Sequence, residues 1–278
     1  MVMTSSRQIS RRYLDVAGTH LCCVEFGGEG TPVLLLHGLA GRGNEWWTTA
    51  RWLVEAHHVI ALDQRGHGRS DKALHDFSRD ANVRDVIGVL EQLTARPSIL
   101  IGQSLGGLNA FLVAARRPDL VQGLIVVEAT PSRDPQAQAR VRDWLASWPV
   151  PFPTLAHAQA FFGGETLSAS TWLEVLEERA DGYWPQFEPE SMLRSLDDVA
   201  TQDYWHEWEQ IQCPTLVVGG ANSSLPQAEL ADMARRIRHG RYVQIAQAGH
   251  NLHLDQPDAW RQAATAFLQE LRSATHTP

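Results

Sequence analysis

Short apolar runs alternate along this chain with amphipathic stretches, and that alternation is what most constrains its fold. The runs lie near Arg12 to Val16, Leu21 to Phe26, Pro32 to Leu36, Val59 to Leu62, Ser98 to Ile101, Gly123 to Val127, Pro214 to Val218 and Arg241 to Ile245. Several are apolar without interruption, as strands buried on both faces require. Helical patterns fall between them at Trp46 to Val54, Asp80 to Leu93, Leu105 to Arg116, Gln227 to Ile237 and Asp258 to Leu271. The pattern predicts an α/β fold, an eight-stranded, mostly parallel sheet flanked by helices.

One interval breaks the rhythm. Residues 131–210 separate the sixth strand from the seventh, far more chain than a crossover needs. The spacing predicts a helical cap inserted there, with residues 1–130 and 211–278 forming the core domain. The insert holds six of the ten tryptophans, and its 14 acidic and 5 basic side chains give it a charge of −9 within a chain of −8. Such a surface repels strongly anionic ligands.

The acidic balance and scattered arginines exclude a nucleic-acid surface. Three cysteines cannot pair fully, and no apolar stretch is long enough to span a bilayer. A cytoplasmic location is expected, with a small-molecule substrate, no membrane or nucleic-acid partner, and a monomer or homodimer. His57 and His58 are adjacent, and His250 and His253 three apart, without a second cluster at ligand spacing; no metal or other cofactor is expected.

Gly102-Gln103-Ser104-Leu105-Gly106-Gly107 follows a buried strand and opens an apolar helix. This is the pattern of a nucleophile elbow, in which small neighbours let a serine stand on a sharp turn. The alternative is a glycine-rich βα turn with an idle serine. A serine nucleophile needs a base. His250, in Ala248-Gly249-His250 just after the last strand, is favoured over His253, which reads as a structural residue or a pocket wall. The loop after the seventh strand, Gly219 to Leu225, holds no carboxylate, so the acid falls to Glu128 at the end of the sixth. The alternative for Glu128 is a salt bridge to an arginine such as Arg133. Backbone N–H groups of Leu39 and Leu105 are the expected oxyanion donors. His37, Gln103, Trp144, Trp148, Trp172, Trp184 and His253 are candidates for the substrate pocket, although His37 reads first as a brace for its loop and the tryptophans read equally as interior packing.

Taken in order, His37-Gly38, Asp63 to Ser70, the elbow at Ser104, the insertion and Gly249-His250 resemble the capped branch of the α/β-hydrolase superfamily over essentially the whole chain. The resemblance implies hydrolysis of an ester or lactone through an acyl-enzyme. C–C bond hydrolysis of ring-cleavage products, and a hydrolase-like binding or signalling protein with little turnover, remain as alternatives. Dehalogenases and epoxide hydrolases of that superfamily carry an aspartate at the elbow, so Ser104 argues against both. The acid at the end of the sixth strand departs from the commonest pattern and matches a known variation within it.

Overall fold

The computed structural model describes residues 9–275. Eight strands form one sheet: β1 (Ser10–Val16), β2 (Thr19–Gly27), β3 (Thr31–Leu36), β4 (His57–Asp63), β5 (Ser98–Gln103), β6 (Val121–Val127), β9 (Thr215–Gly220) and β10 (Gly240–Ile245). Two more, β7 (Leu176–Arg179) and β8 (Gly182–Pro185), pair as a separate hairpin. The sheet order is β1-β2-β4-β3-β5-β6-β9-β10, antiparallel at β1-β2-β4 and parallel beyond. All eight expected runs are strands of this sheet.

The helices are α1 (Trp47–Leu53), α2 (Arg79–Leu93), α3 (Leu105–Arg116), α4 (Ala137–Ala146), α5 (Leu155–Phe161), α6 (Leu167–Leu173), α7 (Pro189–Arg194), α8 (Asp197–Thr201), α9 (Trp205–Trp208), α10 (Gln227–Arg236), α11 (Leu252–Asp255) and α12 (Pro257–Thr275). Successive strand residues point to opposite faces. Leu34, Leu36, Leu100, Leu124 and Val126 accordingly pack under α2, α3 and α10, through Val86, Phe111 and Met233. Val33, Leu35, Ile101, Ile125 and Val127 pack under α1 and α12, through Leu53, Trp260 and Phe267. Both faces are covered, as a parallel sheet demands. No helix of the described residues is long and apolar enough to cross a membrane.

Between β6 and β9 the chain forms α4 to α9 and the β7-β8 hairpin, so this segment is not purely helical. Ala180 and Asp181 form the hairpin turn, and Gly182, which opens β8, holds φ 138°. The segment has its own apolar cluster of Trp148, Phe152, Val175, Phe187 and Met192, which also takes in Ala40 from the loop after β3. Its last helix packs differently. Trp208 of α9 is fully buried against the sheet's helical layer, edge-on to Phe111 at 5.3 Å, and its Nε1 donates to Met233 O at 2.8 Å. The buried Arg79 joins the two parts, donating to Asn109 Oδ1 at 2.5 Å and to Ser195 O at 2.8 Å.

Candidate active site

Ser104 occupies the turn between β5 and α3 at φ 52° and ψ −118°. An L residue holds that left-handed conformation only at about 1–3 kcal/mol, so the surroundings must impose it. They do so by close approach. A Cβ on Gly102 would lie 2.2 Å from Gly106 O, and one on Gly106 would lie 2.3 Å from Leu36 O, which is why the elbow needs its glycines. The Ser104 N–H donates to Val127 O on the neighbouring strand at 2.8 Å.

Glu128, directly after β6, lies in the same strained region, with φ 52°, and its N–H donates to Val218 O at 3.0 Å. Its side chain is fully buried, and a carboxylate there is costly unless well partnered. Three donors supply that: the Gly220 N–H at 2.6 Å, the Ser223 hydroxyl, and His250 Nδ1 at 3.2 Å. The ionisable side chain that meets Glu128 at this distance is therefore His250, and among the described residues no arginine pairs with Glu128. With Nδ1 donating to Glu128, Nε2 is the ring nitrogen left to accept a proton.

His250 sits on the loop after β10. The Gly249 N–H donates to Asp255 Oδ2 at 2.8 Å, and His250 O accepts from Gln103 Nε2 at 3.0 Å. The imidazole is half-exposed and lines the same cavity as Ser104. Among the described residues no hydrogen bond joins it to Ser104 Oγ; such contacts commonly tighten when substrate binds. Leu39 and Leu105 line this cavity too, and neither N–H donates to a protein acceptor among the described residues. A serine, a base oriented by a buried carboxylate and two free N–H groups are the parts that acyl transfer requires.

The loop bearing Leu39 is braced from below. Ala40 holds φ 63°, and its N–H donates to His67 Nε2 at 3.1 Å. Burial and the neighbouring His37 push the His67 pKa down to about 3, which keeps that nitrogen an acceptor. His37 donates from Nδ1 to Gly38 O at 2.7 Å and accepts the Gln64 N–H at 3.0 Å. It is a loop brace and does not line the cavity. Asp63, the last residue of β4, fixes the far end of this loop by accepting the Gly43 N–H at 2.6 Å.

The cavity measures about 710 Å³ and lies between the carboxyl ends of the parallel strands and the 131–210 segment. Trp144 and Trp172 line it as expected, together with Phe161, Phe162 and Val175. Trp148 does not. It is buried behind them, edge-on to Trp144 at 5.2 Å. Trp184 also lies outside, on the hairpin, where its Nε1 donates to Asp181 at 2.9 Å. His253 is excluded by packing, being 1% exposed and stacked on Trp46 at 4.4 Å. Gln103 touches the cavity, but its amide is spent on the His250 loop. Sequence reasoning missed the support of Glu128 by Gly220 and Ser223 and the reach of His67 to Ala40. These are contacts between distant loops, and no local pattern announces them.

Residues 31–257 match the family model for the alpha/beta hydrolase fold. This chain belongs to the α/β-hydrolase family. It is 27% identical over 248 residues to (E)-2-((N-methylformamido)methylene)succinate hydrolase of Acinetobacter baylyi, covering 87% of this chain and 92% of that protein. It is 28% identical over 279 residues to an sn-1-specific diacylglycerol lipase of Mus musculus, covering 95% and 90%. Among solved structures, E-2-(acetamidomethylene)succinate hydrolase superposes with a TM-score of 0.86 at 24% identity, over 94% of this α/β hydrolase and 100% of that chain, a likeness of fold.

Proposed function

We propose that this α/β hydrolase cleaves an ester or lactone bond of a largely apolar small molecule through an acyl-enzyme. The observation that carries this reading is the convergence of Ser104, the Glu128–His250 pair and the free N–H groups of Leu39 and Leu105 on one cavity. In this mechanism Ser104 Oγ attacks the carbonyl carbon while His250 Nε2 takes its proton. Glu128 holds the ring and stabilises the imidazolium, and the two N–H groups receive the oxyanion. The tetrahedral intermediate collapses as His250 returns the proton to the leaving alkoxide. Water, activated by the same imidazole, then releases the acid and restores Ser104.

Within this reading residues 131–210 act as a cap domain over the core, and their aromatic side chains set the shape of the apolar end. The relatives named for succinate-derived substrates suggest a different ligand charge. Arg140 lines the cavity here, but its guanidinium is paired with Asp134, which leaves it poorly disposed to hold a substrate carboxylate. That pairing also weighs against C–C hydrolysis of a carboxylate-bearing ring-cleavage product. The test is a panel of p-nitrophenyl esters and lactones assayed with the native protein and with Ser104→Ala. Hydrolysis of neutral members, lost in the variant and falling steeply for carboxylate-bearing analogues, is expected. Retained hydrolysis in Ser104→Ala, or a preference for the carboxylate-bearing analogues, would overturn it.

A further inference from the structure

The charged groups lining the cavity are Glu45, Glu128, Asp134 and Arg140, with His250 among them. Glu128 is satisfied by His250, Gly220 and Ser223, and Asp134 by Arg140. Glu45 is left over. It lies in the short 3-10 turn Gly43–Trp46, its side chain is only 8% exposed, and its carboxylate accepts no hydrogen bond among the described residues. Neither arginine nor lysine pairs with it there. Arg42, the nearest in sequence, is turned to Glu174 O at 2.6 Å. Among the described residues the cationic candidate facing Glu45 is His253, at 3.6 Å from Nε2 to Oε1, and both ring nitrogens of His253 lack hydrogen-bond partners there. A carboxylate largely buried in the protein, open to the cavity and paired only by this long contact favours a donor brought to it from the cavity side.

Position says where that donor would lie. Glu45 Oε2 is packed against Gly41, where an added Cβ would come within 2.2 Å of it, and the Gly41 N–H closes a turn on Gly38 O at 3.1 Å. Leu39 lies inside that turn. The carboxylate therefore sits beside the loop that carries one of the two oxyanion donors. Negative charge there, met only by the His253 contact at 3.6 Å, opposes the oxyanion, whereas a cation held against Glu45 would favour it.

We infer that Glu45 is the specificity-determining residue of this cavity and selects acyl substrates that carry an ammonium group next to the scissile carbonyl. The inference rests on the ester-hydrolase reading for its chemistry, but its test does not require turnover. Binding of benzyl 2-aminopentanoate and benzyl pentanoate is measured by calorimetry in Ser104→Ala and in Ser104→Ala/Glu45→Gln. A charge-assisted hydrogen bond implies a preference of about tenfold or more for the amino ester in the first protein, falling to within about threefold in the second. Equal affinity for the two esters in Ser104→Ala would overturn the proposal. So would a preference that survives Glu45→Gln, since the ammonium would then be held elsewhere. Loss of turnover with the native protein would instead count against the ester-hydrolase reading and leave the binding result standing.

Discussion

The carboxyl edge of the sheet and the 131–210 segment face each other across one cavity, and they are built on different principles. At the sheet edge the candidate catalytic residues are fixed by backbone. Ser104 and Glu128 each donate an N–H to the adjacent strand, and each is forced to φ 52° by what surrounds it. On the opposite wall, Trp144, Trp172 and Phe162 are held by ring packing on helices of seven to ten residues and the turn after one of them. Rings that pack by shape tolerate exchange for other rings, whereas a strained turn locked by two strands does not. The contrast teaches that backbone-locked turns and ring-packed surface are supplied to one cavity by separate parts of the chain. It also fits relatives below 30% identity whose names describe different substrates on one fold.

The largest effect that sharpens this contrast is expected at Glu128. Glu128→Gln keeps the shape but loses the charge, and kcat for a good ester is expected to fall by about 10³–10⁴ with the fold intact. Steady-state kinetics beside a thermal melt would check it, and near-normal kcat would make Glu128 purely structural. Next comes a pair of tryptophans that the chain order groups together. Trp208→Ala is expected to lower global stability by about 3–5 kcal/mol in urea unfolding, because Trp208 packs in the sheet's layer. Trp148→Ala should act within the segment, changing ester chain-length preference more than the main unfolding transition. If the two variants unfold alike, the division into two regions fails.

A smaller effect follows from His67. Its folded pKa of about 3 lies below the ordinary 6.5, so the unfolded chain takes up the proton first as pH falls. The stability it contributes is complete above about 6.5 and is lost on acidification towards 3, with a slope of at most about 1.4 kcal/mol per pH unit. Burial lowers the His57 pKa as well and adds in the same direction. Urea midpoints at pH 7, 6 and 5 should fall in the native protein and fall less steeply in His67→Asn. An unchanged slope would mean that His67 titrates normally. Smallest of all, Trp184→Ala is expected to cost under about 1 kcal/mol and leave kcat/KM unchanged, because the ring lies on the hairpin away from the cavity.

The same division explains what was legible in the sequence. The eight strands could be read because buried parallel strands write continuous apolar runs, and Ser104 because its turn demands glycine at Gly102 and Gly106. His250 and Glu128 followed from strand ends, where side chains reach the sheet edge. The segment resisted. Short helices and a hairpin carry too few residues for periodicity to show which ring faces inward, so the sequence does not separate Trp148 and Trp184, which lie off the cavity wall, from Trp144 and Trp172, which form it. His253 stays open between a structural residue and a pocket wall in the sequence, because spacing cannot register its stacking on Trp46. Glu45 escaped notice for the opposite reason, being one acidic residue in a polar turn whose isolation becomes visible only when its neighbours' partners are known.

The most direct measurement is intact-mass labelling with a fluorophosphonate, comparing the native protein, Ser104→Ala and Glu128→Gln. It reads nucleophile activation without requiring the natural substrate. Rapid addition of a single label to the native protein is expected, absent in Ser104→Ala and slowed by orders of magnitude in Glu128→Gln. A native protein that takes no label, or a label that survives Ser104→Ala, would contradict the assignment of Ser104 as the activated nucleophile.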